Sequence, residues 1–150
     1  MNFFRLISIC MLLVSFKPLH AQKLDNNFAI KYVQGYVIGS NGEPVLGQTV
    51  RILGTERYSI SDFDGKFCIS VPVGFDFYLS VPCCYNPMVL KLDSEDDEIK
   101  VDFGSKEQWR KSKRYSRIYR KRKSSQEEIL TRFFENFPEM PEQMTCEASR

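Results

Sequence analysis

Two aspartates, Asp62 and Asp64, flank Phe63 and precede Gly65 in the stretch SISDFDGKFCISVP, residues 59–72. Carboxylates at this spacing suit two chemistries, oxygen ligation of a hard cation such as calcium and paired acid–base work. They equally suit a tight turn, in which carboxylates accept backbone N–H bonds and the glycine takes a left-handed conformation. Calcium asks for about six to eight oxygens, and an EF-hand loop begun at Asp62 would need a glutamate at its twelfth position. Val73 stands there instead. The turn is therefore the expectation, with calcium binding and carboxylate catalysis as its rivals.

Other chemistry is bounded by what the chain holds. Its one histidine is His20. That residue lies in an N-terminal segment with the make-up of a secretory signal: Arg5, the apolar run Leu6 to Phe16, then a small-residue exit at Ala21. The run is too short to span a bilayer, which takes about 20 residues. Cleavage after Ala21 would leave a chain without histidine. Ser–His and Cys–His nucleophile pairs and histidine zinc sites are thereby excluded. Cys10 falls within the same segment, which leaves Cys68, Cys83, Cys84 and Cys146. Export permits disulfides among these four, in three fully paired connectivities that spacing does not separate. The acidic run DSEDDE, Asp93 to Glu98, has the character of a solvated loop. No cofactor or metal set emerges, and a non-enzyme is expected.

The sharpest feature is basic. Residues 110–123, RKSKRYSRIYRKRK, carry nine basic side chains and no acid: Arg110, Lys111, Lys113, Arg114, Arg117, Arg120, Lys121, Arg122 and Lys123. With Trp109 before them and Tyr115 and Tyr119 among them, they suit anionic lipid or lipopolysaccharide headgroups. Beyond them Ser125 and Glu128 form a capping-box pair, and Ile129, Leu130, Phe133, Phe134 and Phe137 recur at helical spacing. That apolar face has two uses. It can enter a groove on an envelope protein through Ile129, Phe133 and Phe137, or cover the protein's own sheet. Nucleic acid is not an expected partner of an exported chain, and no transmembrane segment is expected after signal removal.

These residues need a scaffold, and the sequence supplies a β pattern. Residues 22–32 form a polar leader. Short runs of β character follow near 33–39, 47–53, 57–61, 66–71, 76–83, 87–93 and 98–103, separated by turn residues. Asn41-Gly42 and Pro44 mark one tight turn, and Asp62, Asp64 and Gly65 mark another. Seven strands over about seventy residues can close a two-sheet core. The remaining chain divides into a basic segment with an amphipathic helix over 104–137 and a frayed tail over 138–150. Charge divides with it: residues 22–104 hold 7 basic and 12 acidic side chains, net −5, whereas 105–150 hold 12 and 7, net +5.

Four elements in register carry a resemblance. They are Gly35-x-Val37, then Asn41-Gly42-x-Pro44-Val45-x-Gly47-x-x-Val50, then Gly54-Thr55, and Ser61-Asp62-x-Asp64-Gly65-x-Phe67. Residues 33–103 resemble the carboxypeptidase regulatory-like domains, transthyretin-like β-sandwiches of exported Gram-negative proteins. Tyr58 and Cys84 stand where that family commonly has glycine. The resemblance implies a mainly β fold, a seven-stranded Greek-key sandwich, here with a basic, partly helical C-terminal extension. It implies a turn for Asp62-x-Asp64-Gly65, a place in the periplasm or at the outer membrane, and no catalysis. In that family the domain commonly precedes a TonB-dependent receptor or accompanies an enzyme, so an accessory role in an uptake complex is one reading. A purely structural protein with a self-packed tail is another.

Overall fold

The computed structural model describes residues 28–83 and 86–146. The predicted signal segment, most of the leader, Cys84 and Tyr85 lie outside the described residues. Among the described residues, eight strands and one helix follow in order. These are β1 (Ile30–Ile38), β2 (Thr49–Ile52), β3 (Tyr58–Ile60), β4 (Lys66–Pro72), β5 (Phe77–Val81), β6 (Met88–Leu92), β7 (Glu98–Asp102), α1 (Lys106–Asn136) and β8 (Gln143–Met144). They build a three-stranded sheet ordered β4-β1-β7 and a five-stranded sheet ordered β6-β5-β2-β3-β8. The β1–β7 and β3–β8 pairs are parallel and the others antiparallel.

The period-2 pattern explains which faces meet. Val33 and Val37 of β1, Phe67, Ile69 and Val71 of β4, and Val101 of β7 share one core with Val50, Ile52, Phe77, Leu79, Leu90 and Leu92 of the larger sheet. Gly35 lies opposite Phe67 in the β1–β4 ladder, and a Cβ on it would fall inside the Phe67 ring. Gly65 has φ 73°, and a Cβ there would stand 2.5 Å from the Val37 carbonyl oxygen. The Gly35-x-Val37 and Gly65-x-Phe67 motifs are thus two halves of one contact.

Both predicted turns are turns. Asp62 Oδ1 accepts from the backbone N–H groups of Asp64 (2.9 Å) and Lys66 (2.8 Å). The Asp64 carboxylate does not share this bonding; it pairs with Lys66 at 3.6 Å. Asn41 Oδ1 accepts from the Glu43 N–H, and Gly42 has φ 82°. The acidic run forms the turn after β6, with Asp93 N–H donating to Asp96 Oδ2.

Four boundaries differ from the sequence expectation. The first strand begins at Ile30, inside the presumed leader, because Ile30 to Tyr32 find partners in Pro72 to Ser70 of β4. The strand count is eight rather than seven. The helix starts at Lys106 and is capped by Ser105, whose side chain accepts from Gln108 N–H, so Ser125 is interior to α1 rather than its cap. The presumed frayed tail is ordered through Cys146. Its β8 pairs with β3, Met144 is buried in the core, and Cys146 is disulfide-bonded to Cys68 of β4. Residues 143–146 therefore connect the two sheets: Ser59 Oγ of β3 donates to Met144 O, and Ser70 N–H of β4 donates to Met144 Sδ.

Candidate binding surface

The site is the outward face of α1, and the inward face explains why it is presented. Trp109 Nε1 donates to Phe103 O at 2.9 Å and its ring stacks on Phe103, while Gln108 bonds Asp102 N–H and Lys100 O. These contacts lock the first turn onto the end of β7. One turn on, Ser112 Oγ accepts from Val89 N–H at 2.7 Å. β6 is the edge of its sheet, so the helix covers a donor that the edge would otherwise expose. Tyr115 and Tyr119 then pack on Tyr78 of β5, with ring centroids 6.3 and 5.9 Å away. Burial raises the Tyr119 phenol above its ordinary pKa, and the nearby Glu127 charge adds to this.

Farther along, Gln126 Nε2 donates to Leu53 O, and Leu130 and Phe133 are fully buried. Phe133 meets the Phe28 ring edge-on at 5.9 Å and lies 5.1 Å from Phe137. Arg57 sits 4.2 Å over the Phe134 ring and also donates to Met140 O. Gly54 permits close passage of the helix: a Cβ on it would stand 2.9 Å from the Glu127 side chain.

The expected apolar face exists, and the protein's own domain takes it up. Phe133 is buried and Ile129 and Phe137 are half-buried, so these three are packing residues. Trp109, also half-buried, anchors the helix rather than standing out as an interfacial aromatic.

The basic residues have the opposite fate. All nine are exposed. Lys111 bonds Glu107 at 2.7 Å, an ion pair that holds the carboxyl below its ordinary value and the ammonium above it. Lys123 pairs with Glu127 at 3.6 Å. Arg122 stands near Asp76, whose carboxyl is held below its ordinary value first by the Lys91 hydrogen bond, then by Ser94 N–H and the Arg122 charge. Among the described residues Arg122 forms no ion pair, and neither do Arg110, Lys113, Arg114, Arg117, Arg120 and Lys121.

At about 100° per residue the latter six fall within an arc of roughly 120°, centred opposite Ser112, Gln126 and Leu130. At ~1.5 Å rise per residue they extend along about 17 Å of helix. The result is a stripe of positive charge on a docked helix, with no apolar anchor in it.

Several concavities lie beside the helix. A groove of about 800 Å³ beside α1 is lined in part by Arg51, Gly54, Tyr119, Arg120, Lys123 and Glu127, and so mixes both charges. A cavity of about 510 Å³ under the tail is lined by Tyr32, Phe137, Met140 and Met144, with Glu139 its one charged group. Among the described residues, no cluster of three or more histidine, cysteine, aspartate or glutamate side chains could hold a metal ion. Nor is any helix there long and apolar enough to cross a membrane.

The composition of the basic run located its charges, but not which of them already have partners. Ser112, Tyr119 and Gln126, which seat the helix, gave no separate signal: a serine and a glutamine in a charged run look like solvent-facing residues. Only their 3.6-residue phase with Leu130 and Phe133 marks them as inward. No protein-family model matches this chain, and no curated protein matches it.

Proposed function

We propose that this chain is a non-enzymatic, exported binding module of the bacterial cell envelope. It carries a transthyretin-like, Greek-key β-sandwich and presents the outward face of α1 to a polyanionic partner. One observation carries the reading: six exposed cations without ion pairs lie along one face of a helix whose other face is buried on the sheet. Unneutralised like charges at i, i+3 and i+4 repel one another and weaken a helix. Nothing in the packing of α1 uses them, so their value lies in what they meet outside the molecule. The exported, Gram-negative setting rests on the N-terminal segment and on the resemblance of residues 33–103 to carboxypeptidase regulatory-like domains.

A structural protein with a self-packed tail is the second reading, favoured by the docking of Leu130 and Phe133. The two separate in a crosslinking pull-down from envelope fractions. The comparison is between the wild-type chain and one in which the six cations are glutamine. Stopping the chain after Phe103 would be a poor comparison, because it removes Leu130, Phe133, Met144 and Cys146 from the fold. Loss of crosslinked material from the glutamine variant, with its folding intact, is the expected result. Identical recovery of partners from both forms would show that the stripe is not the binding element, and recovery of none from either would favour the structural reading.

A further inference from the structure

We infer that the polyanion met by α1 is the headgroup surface of an anionic lipid bilayer, on which the helix lies flat and without insertion. The inference rests on the binding reading above and names its partner. Two features of the stripe select a membrane over a protein. Protein interfaces are built around buried aromatic or aliphatic anchors. The arc from Arg110 to Lys121 offers no such anchor: Trp109 stacks on Phe103, Tyr115 and Tyr119 face Tyr78, and Ile118 is half-buried. A row of exposed charges also gives a protein surface little to read by shape. A fluid sheet of phosphates needs no matching shape, because lipids move to meet the charges.

The absence of an outward apolar face sets the mode of contact. Interfacial helices that insert do so with an apolar side at the acyl boundary. Here that side is already occupied by Val89, Tyr78 and Phe28. Adsorption must then be electrostatic, reversible and confined to within about a Debye length, ~8–10 Å at ordinary salt. The arc of about 120° lets all six cations approach one plane together.

The test is vesicle co-sedimentation of the protein as purified from expressing cells, so that wild type and variants share the same N-terminus. The probes are phosphatidylcholine vesicles with and without about one third phosphatidylglycerol, a composition that sets the surface potential. We expect binding to the anionic vesicles alone, its loss on raising salt to about 0.5 M, and a loss of at least ~100-fold in partitioning for the six-glutamine variant. A second variant exchanges each arginine of the six for lysine and each lysine for arginine. It should bind as wild type does, since a fluid charged surface counts charges, whereas a protein site reads guanidinium geometry.

Circular dichroism confirms that both variants fold. Failure to bind anionic vesicles at low salt would overturn the inference, as would vesicle binding unchanged by the glutamine substitutions or stronger capture by an acidic protein or duplex DNA. The two proposals fail separately. Stripe-dependent crosslinking to an envelope protein, with no vesicle binding, would retain the binding module and reject the lipid partner.

Discussion

Asp62 and Asp64 are two residues apart, yet the structure gives them unequal work. Asp62 Oδ1 holds two backbone N–H groups inside the turn, whereas Asp64 is exposed and makes one 3.6 Å ion pair with an exposed lysine. Asp62→Ala should therefore cost about 1–2 kcal/mol, as loss of a capping carboxylate does. Asp64→Asn should change stability by less than about 0.5 kcal/mol, the range of an exposed pair. Urea melts of the two variants check this, and equal effects would contradict the assignment.

A second residue-scale prediction concerns Lys91, which bonds Asp76 at 2.7 Å and also contacts Asp93. The bond to Lys91 lowers the Asp76 carboxyl below its ordinary value of 3.8. A depressed carboxyl contributes stability that is present above its unfolded pKa and lost as pH falls through the folded one. The same pairing raises Lys91 above its ordinary 10.5, so its contribution is present below that value and fades as pH rises through the higher folded pKa. Asp76→Asn should remove part of the stability difference between neutral pH and pH below about 4, leaving a flatter acid limb in thermal melts.

Among the elements, β8 is the one whose stability depends most on covalent help. It has two residues, and two-residue pairing holds little by itself. The Cys68–Cys146 bond closes a loop across 78 positions, linking β8 to the opposite sheet. In the chain-entropy account a loop of that length is worth about 4 kcal/mol, and native disulfides commonly contribute roughly 2–5. Reduction, or the C68A/C146A pair, should lower the unfolding midpoint and open the strap from Pro138 to Thr145 to proteases. Hydrogen exchange at Tyr58, whose N–H donates to Glu142 O, provides a local readout. Unchanged exchange at Tyr58 after reduction would show that Met144 burial and the Arg57 contacts suffice without the bond.

Taken whole, the molecule joins a net-negative β part to a net-positive C-terminal part, and the join is a packed one. Leu130 and Met144 belong to the same core as Val33 and Phe77, so the helix and sheets should unfold together. Trp109, the single tryptophan, reports on the helix start through its stacking on Phe103. Its fluorescence and far-UV circular dichroism should give coincident urea transitions with a slope of about 1–3 kcal/mol/M. A separate, earlier fluorescence transition would show a helix that docks only loosely. Trypsin offers a parallel check. The nine basic sites of residues 110–123 are exposed, yet backbone held in a docked helix should resist cleavage until global unfolding.

Alternation in β1, β2 and β5, the turn chemistry of Asn41-Gly42 and Asp62 to Gly65, and the polarity of charge were all determined locally, because each depends on residues within one strand or one bend. A capping box at Ser125 looked as good as any in the chain, but local fit does not start a helix where Ser112 and Tyr119 can already pack on the sheet. The choice of Ser105, the ordering of residues 138–146 and the pairing of Cys68 with Cys146 each required groups far apart in sequence to meet. The two ion pairs of the basic run, Lys111 with Glu107 and Lys123 with Glu127, are by contrast local i,i+4 pairs. Tertiary structure decided the rest because burial and edge covering are properties of surfaces in contact, and a linear pattern records only one of the two surfaces.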